Sequence, residues 1–228
     1  MSILRCEQLS KQYRMGEVTV QAVDSLTASF TKGEFCTITG PSGSGKSTLL
    51  HMLGGLEQPT SGTVYYDQEN LFAYNDDQLS VLRRRRFGFV FQAYNLVQEL
   101  TGEENILLPV MLDKQTPDKA YLAKIVDILG IKNRLTHLPS ALSGGEQQRI
   151  AIARALANKP SIVFADEPTG NLDAHAGREV LSLLKHASSE LGVTLILVSH
   201  DLNIAEQAER VIQLEDGKIV FDSASTGN

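Results

Sequence analysis

Several things are scarce in this sequence, and each scarcity removes a class of protein. Its 228 residues contain two cysteines, Cys6 and Cys36. Both fall in apolar stretches without metal-ligand spacing. They read as buried small residues of a cytosolic protein rather than as a zinc module or a disulfide framework. No apolar run approaches the roughly 18 residues of a membrane-spanning helix. Residues 1–5 show no signal-peptide pattern, so such a chain is expected to work at a membrane only through a partner. Basic charge is short as well: 21 Lys and Arg against 27 Asp and Glu leave a net charge of −6. Nucleic-acid binding wants a basic surface, and no nucleic-acid partner is expected. Repeats and low-complexity linkers are absent. What remains is globular, 42% hydrophobic and 21% charged, and long enough for one large domain or one core with a subdomain.

The stretch around which the rest is arranged runs Gly40, Pro41, Ser42, Gly43, Ser44, Gly45, Lys46, Ser47, Thr48. An apolar run at 35–39 precedes it, and Leu49, Leu50, His51, Met52 and Leu53 follow, so the order is strand, glycine loop, helix. It fits G-x-x-x-x-G-K-[ST], the phosphate-binding loop of nucleotide-hydrolysing proteins. Glycines let successive backbone N–H groups turn inward around an anion, and a side chain at Gly43 or Gly45 would block that approach. The helix N-terminus adds partial positive charge, Lys46 reaches the β- and γ-phosphates, and the Ser47 hydroxyl is a hard oxygen donor for Mg²⁺. An ordinary Gly/Ser loop would match the four fixed positions in roughly one unrelated chain in a hundred.

Taken in order, strands are expected at 3–9, 18–20 and 22–30, with turns at 15–17 and 31–34. Tyr13, between Lys11 and Arg14, reads locally as an edge packing residue. The helix after the phosphate loop reaches Gly54 and Gly55 as a C-cap. A turn at 59–62 leads to a strand at 63–66. A helix over 76–86 ends in Arg83, Arg84, Arg85 and Arg86. Consecutive helical residues point in different directions, so these do not form one basic face. They read as a solvated helix end, with lipid headgroups or an acidic partner as the alternative. A strand at 87–91 ends at Gln92. From Ala93 the character changes: 105–112, 118–129 and 144–157 show helical spacing with no strand between them. After Lys159 and Pro160 the α/β pattern resumes. Strands are expected at 161–165, 194–198, 211–214 and 219–221, with helices over 174–191 and 202–209; 215–218 is a hairpin turn. Residues 223–228 are expected to fray.

In open α/β sheets, ligands bind beyond the carboxyl ends of the strands. Four polar features stand at such ends: the phosphate loop, Gln92, the pair Asp166-Glu167, and Ser199-His200. Adjacent carboxylates repel unless a cation or hydrogen bonds relieve them, and a nucleotide-bound Mg²⁺ supplies that relief. Asp166 is then expected to hold the metal and Glu167 to polarise a water for in-line attack on the γ-phosphate. The bland reading is a turn start before Pro168. Gln92 has the reach for metal and water, and His200 for the γ-phosphate or the water, though judged alone each reads as an ordinary strand-end residue. His51, His137, His175 and His186 have no such placement.

One further stretch, Leu142, Ser143, Gly144, Gly145, Glu146, Gln147, Gln148, Arg149, bears on the family. Two glycines at a helix start are poor helix design unless a phosphate must come close. The stretch resembles the L-S-G-G-Q signature of ATP-binding cassette (ABC) ATPases, with Glu146 where the consensus has Gln. With the phosphate loop, Gln92, Asp166-Glu167 and His200 in the same order, the resemblance covers essentially the whole chain.

That resemblance implies an α/β fold: a P-loop NTPase nucleotide-binding domain with a RecA-like core, an N-terminal antiparallel β subdomain and an inserted α-helical subdomain. One domain over 1–228 is expected, with 1–92 and 159–228 as the core and 93–158 as the helical part. Tyr13 matches the aromatic residue that stacks on adenine. Gly43, Ser44, Gly45, Lys46, Ser47 and Thr48 would bind the phosphates of ATP, Ser47 and Gln92 would contact Mg²⁺, and Asp166 matches the Mg²⁺-associated carboxylate. Glu167 matches the general base and His200 the switch histidine. Asn171, Leu172 and Asp173 match the loop at the dimer interface. Ser143 and Gly145 would contact the γ-phosphate held by a second copy, so two chains would sandwich two ATP molecules as a homodimer. Residues 91–96 and 165–173 resemble the lipoprotein-release and macrolide-export type. Its permeases have few membrane spans and large extracytoplasmic domains, and the residues after Gln92, through about Leu112, would face the permease. The chain would then lie in the cytoplasm, peripheral on the inner face of the plasma membrane. The leading reading is an ATPase subunit energising a membrane permease, for export or for transmitting force; the alternative is an ATPase regulating a cell-envelope process through a membrane partner. A DNA-repair or chromosome ATPase with the same signature would need a coiled-coil or zinc insertion for which this chain has no room. A translation-type protein would need two cassettes.

Overall fold

The computed structural model describes residues 2–205 and 207–224. Ten strands and seven α-helices follow one another along these residues. They are β1 (Ser2–Met15), β2 (Val18–Thr31), β3 (Phe35–Thr39), α1 (Lys46–Leu53), β4 (Ser61–Tyr66), β5 (Glu69–Asn70), α2 (Asp76–Arg86) and β6 (Phe87–Phe91). Next come α3 (Gly102–Leu112), α4 (Lys119–Leu129), α5 (Gly144–Leu156), β7 (Ile162–Asp166), α6 (Ala174–Leu191) and β8 (Thr194–Val198). The last are α7 (Leu202–Ala205), β9 (Arg210–Glu215) and β10 (Lys218–Asp222). The chain forms two compact units: Met1–Arg83 with Thr194–Asn228, and Arg84–Val193. Their boundaries differ from the expected divisions at 92/93 and 158/159, because the second unit also takes in β6, β7 and α6.

In the first unit β1 lies between β2 and β4, antiparallel to both, with Cys6 opposite Ala28 and Val64. The β1–β2 hairpin is longer than sequence patterning suggests. Its arms carry irregularities near Gln8 and Ser25, at φ 47° and 49°, which break alternation without ending the strands. A second group of strands runs β10-β9-β3-β8, with β3 parallel to both neighbours. Every residue of β3 and of β8 is buried, as for central parallel strands. Helix α1 packs against β1, β2 and β8 and buries Leu49, Leu50, Met52 and Leu53. Arg210 ties the ends of this unit together: it pairs with Asp222 at 2.6 Å and Glu34 at 3.5 Å and donates to the Ser29 carbonyl.

In the second unit β6 and β7 pair in parallel, Phe87 opposite Ile162 and Phe91 opposite Asp166. Phe164 packs between Phe87 and Phe89, at centroid distances of 5.3 and 5.5 Å. Helix α5 is the hub, touching α3, α4, α6 and β6. It approaches β6 closely enough that a Cβ on Gly88 would stand 2.4 Å from the Ala155 carbonyl oxygen. Among the described residues no strand lies between Phe91 and Ile162, as the change of pattern after Gln92 implied.

Helices α2 and α6 and strands β3, β6 and β8 fall where sequence patterning puts them. The helix expected over 202–209 is described only as Leu202–Ala205, with Glu206 and 225–228 outside the described residues. The run of arginines is a solvated end only in part. Arg85 and Arg86 are exposed, but Arg83 donates to the Gly55 carbonyl, and Arg84 and Arg85 each bond the Asp113 carboxylate. That carboxylate is 1% exposed, and a carboxylate so buried requires such partners.

Candidate nucleotide site

Chain geometry in the phosphate loop accounts for its glycines one at a time. Gly40, Gly43 and Gly45 have φ of 144°, 80° and 95°, which L side chains rarely adopt. A Cβ on Gly45 would lie 2.0 Å from the Ala22 carbonyl oxygen, and one on Gly40 2.1 Å from that of Leu214. At Gly43 nothing lies within 4 Å, so its backbone is open. Gly45 is the N-cap of α1, and no side chain caps that helix or places an acid in its first turn. Lys46 is buried, its ammonium donating to the Gly40 and Pro41 carbonyls at 3.0 and 2.7 Å. Ser44 is buried and its hydroxyl makes no hydrogen bond. Pro41 and Ser42 are exposed at the tip.

Tyr13 is half-buried, paired with β2 on one side and lying beyond the end of the β1–β4 pairing at Ser10. It sits within β1 opposite Val20, and its hydroxyl oxygen lies 3.4 Å from Thr48 Oγ1 in the first turn of α1. That hydroxyl donates to the Glu57 carboxylate, 2.7 Å from both oxygens. Lys11 pairs with the same carboxylate at 2.9 Å. Burial pushes the Tyr13 phenol up from its usual range. Ser199 and His200 follow β8 in the same unit; Ser199 is buried and His200 exposed.

In the second unit Gln92 and Asp166 stand at adjacent strand ends, since Phe91 is opposite Asp166. The Gln92 amide donates to Asn171 at 3.0 Å, and the Asn171 amide donates back to the Gln92 carbonyl at 2.9 Å. Glu167 has φ 46°. A non-glycine residue there costs about 1–3 kcal/mol and persists where the surroundings hold it. A hydrogen bond from the Gly170 N–H to its carbonyl closes the turn. Sequence reasoning missed Gln148. This fully buried side chain donates to the Pro168 and Phe91 carbonyls at 2.6 and 3.3 Å, fastening α5 to the ends of both strands.

Ser143 is the N-cap of α5 and shares a capping box with Glu146. The Glu146 carboxylate accepts the Ser143 N–H and hydroxyl at 2.8 and 2.9 Å and pairs with Arg134. The Arg134 guanidinium and the Ser143 donors hold the Glu146 carboxyl down at about 2. The pattern S-x-x-E was legible in the sequence; the Arg134 partner was not. The two signature glycines differ. A Cβ on Gly144 would stand 2.7 Å from the Tyr94 hydroxyl, the tip of a side chain, whereas at Gly145 nothing is nearer than 3.9 Å. Ser143, Gly144 and Gly145 line a cavity of about 510 Å³ together with Asn171, Leu172 and Asp173. Asp173 caps α6, accepting the N–H groups of His175 and Ala176, which lower its carboxyl below the usual range.

The family model described as ABC transporter matches residues 23–170. The chain is 42% identical to the lipoprotein-releasing system ATP-binding protein LolD of Idiomarina loihiensis, over 95% of this chain and 96% of that one. It is 41% identical to the macrolide export ATP-binding/permease protein MacB of Vibrio parahaemolyticus, covering 97% of this chain but 34% of that one. Among solved structures, the ATP-binding cassette MJ0796, dimeric and bound to ADP and Pi in a post-hydrolysis state, superposes with a TM-score of 0.86. That pair is 40% identical, over 96% of this chain and 97% of that chain.

Proposed function

The chain belongs to the ABC transporter family, as an ATP-binding and ATP-hydrolysing subunit, and we propose that it works as half of a head-to-tail homodimer driving a separate membrane permease. The observation that carries this is Gly145. Its open Cβ direction, in a cavity shared by the signature and the loop at 171–173, leaves room for a group from outside the chain. MJ0796, the relative in the dimeric structure, is similar over nearly its whole length.

In this reading Gly40, Ser42, Gly43, Ser44, Gly45, Lys46, Ser47 and Thr48 hold the triphosphate, Tyr13 stacks on the base, and Ser143, Gly144, Gly145 and Asp173 close the site of the other subunit. Ser47, Gln92 and Asp166 offer oxygen donors of the hard type that Mg²⁺ takes. Mg²⁺ arriving with the nucleotide would be held by these donors and would neutralise phosphate charge. Glu167 accepts the proton of the attacking water, and His200 steadies the γ-phosphate.

For the partner, we propose a permease with few spans and a large extracytoplasmic domain, as the LolD and MacB resemblance suggests. The subunit would sit on the inner face of the membrane. No helix among the described residues is long and apolar enough to cross one. The deciding experiment uses Glu167→Gln. ATP turnover should fall at least about 100-fold, the size of a lost general base, while light scattering shows an ATP-dependent dimer. Turnover near the wild-type rate would remove Glu167 from this role, and a monomer at saturating ATP would remove the sandwich.

A further inference from the structure

Tyr13 is held from three sides by groups that its own sequence neighbourhood does not suggest. Glu57 lies 44 positions further on, past the end of α1, and both its carboxylate oxygens are 2.7 Å from the Tyr13 hydroxyl. Lys11 is two residues before Tyr13 on β1. Its ammonium is 2.9 Å from Glu57 Oε1, donates to the Gln58 carbonyl at 2.7 Å and stands 5.2 Å from the Tyr13 ring centroid. The Lys11 and Glu57 side chains are only 16% and 25% exposed, so the pair is partly withdrawn from solvent. Burial alone would raise the Glu57 carboxyl, yet the bonds from Tyr13 and Lys11 hold it below the usual range, ionised and accepting. Thr48 Oγ1, at 3.4 Å, sets the phenol beside the first turn of the phosphate-loop helix.

We propose that Glu57, braced by Lys11, is a positioning residue for the nucleotide base: it fixes the Tyr13 ring relative to the phosphate loop without touching the nucleotide. An unfixed ring would pay the entropy of ordering each time a base stacked on it. Lys11 stands over the ring, an arrangement that favours a cation on the face it covers. The proposal rests on reading Tyr13 as the base-stacking residue, and the experiment separates the two.

Glu57→Ala, Glu57→Gln, Tyr13→Phe, Tyr13→Ala and the double variant Tyr13→Phe/Glu57→Ala are compared for ATP turnover and for inhibition by tripolyphosphate, a base-free competitor. Removing a charged hydrogen-bond acceptor should raise KM for ATP about tenfold in Glu57→Ala, with kcat and the tripolyphosphate inhibition constant unchanged. Glu57→Gln, which keeps an acceptor, should recover most of the loss. Tyr13→Phe keeps the ring and loses the tether, so it should match Glu57→Ala, and the double variant should be no worse than either. Equal weakening of tripolyphosphate, or additive losses in the double variant, would overturn the positioning role. A KM raised in Tyr13→Ala but not in Glu57→Ala would also overturn it while leaving the stacking reading intact. An unchanged KM in Tyr13→Ala would remove the stacking reading and the proposal with it. Should Glu57→Ala fail to fold, Tyr13→Phe and Glu57→Gln carry the same comparison.

Discussion

Two helices of this protein begin at glycine-rich turns, and they begin in opposite ways. Helix α1 has Gly45 as its N-cap, no side-chain cap and no acid in its first turn. Helix α5 has Ser143, a complete capping box and Glu146 in its first turn. The four N–H groups at a helix start need partners, and the positive end of the dipole favours an anion. At α1 no side chain supplies a cap, and Lys46 adds positive charge in the first turn. At α5 the demand is met in part by the chain itself: Ser143 Oγ accepts the Glu146 N–H, and the Glu146 carboxylate, paired with Arg134, accepts the Ser143 N–H. In the proposed reading the first is therefore the primary phosphate site. At the second, the Ser143 donors already bond Glu146, so the signature would add a supplementary contact whose worth depends on the first site being filled.

The glycines give the sharpest way to break this contrast. Gly45→Ala puts a methyl 2.0 Å from the Ala22 carbonyl at φ 95°. It should cost about 3 kcal/mol or more of stability and abolish ATP binding in calorimetric titration. Gly145→Ala meets no atom nearer than 3.9 Å at a helical position. It should leave the melting temperature equal or slightly higher, since alanine in a helix gains about 1 kcal/mol over glycine, while the ATP-dependent dimer in light scattering is lost. If Gly145→Ala dimerises normally, Gly145 is not where another chain's phosphate arrives.

A smaller effect separates the polar groups of the same two turns. Lys46→Ala should lower ATP affinity on the order of 100-fold, from the loss of charged hydrogen bonds to phosphate. Ser143→Ala should leave ATP affinity of the monomer unchanged, cost about 1 kcal/mol of stability through the lost cap, and weaken the ATP-dependent dimer. Equal losses of monomer affinity in both would mean that the two helix starts do not differ in the way their caps suggest.

The same contrast explains what was legible in the sequence. The phosphate loop could be read because its backbone needs positive φ and close approach at fixed positions, which few residues satisfy. Strands β3 and β8 and helix α6 could be read because buried runs and periodicity are local. Contacts between distant segments left no local trace: Gln148 bridging Phe91 and Pro168, Glu57 holding Tyr13, and Asp113 gathering Arg84 and Arg85. Arg84 and Arg85 looked unpaired because their counter-charge lies on the far side of β6 in sequence. Gly144 adds a contact of the same kind, since a Cβ there would stand 2.7 Å from the Tyr94 hydroxyl, a neighbour 50 positions away.

The least of the expected effects concerns Glu146, where the family consensus has Gln. Glutamine can still close a capping box with Ser143, so Glu146→Gln removes only the ion pair with Arg134. Both side chains are partly exposed, 26% and 44%, and solvent screening limits the pair to about 1 kcal/mol. The Glu146 carboxyl is depressed in the folded chain, to about 2, chiefly by the Arg134 guanidinium. A depressed carboxyl contributes stability that is present above the unfolded value and lost as pH falls through the folded one. Denaturant titrations of wild type and Glu146→Gln should therefore differ by a constant amount at neutral pH. The difference should shrink between about pH 4.5 and pH 2. A gap that persisted at the bottom of that window would assign the loss to packing rather than charge. A gap absent at pH 7 would mean that the carboxylate at α5 is idle, and that the two helix starts are more alike than their caps indicate.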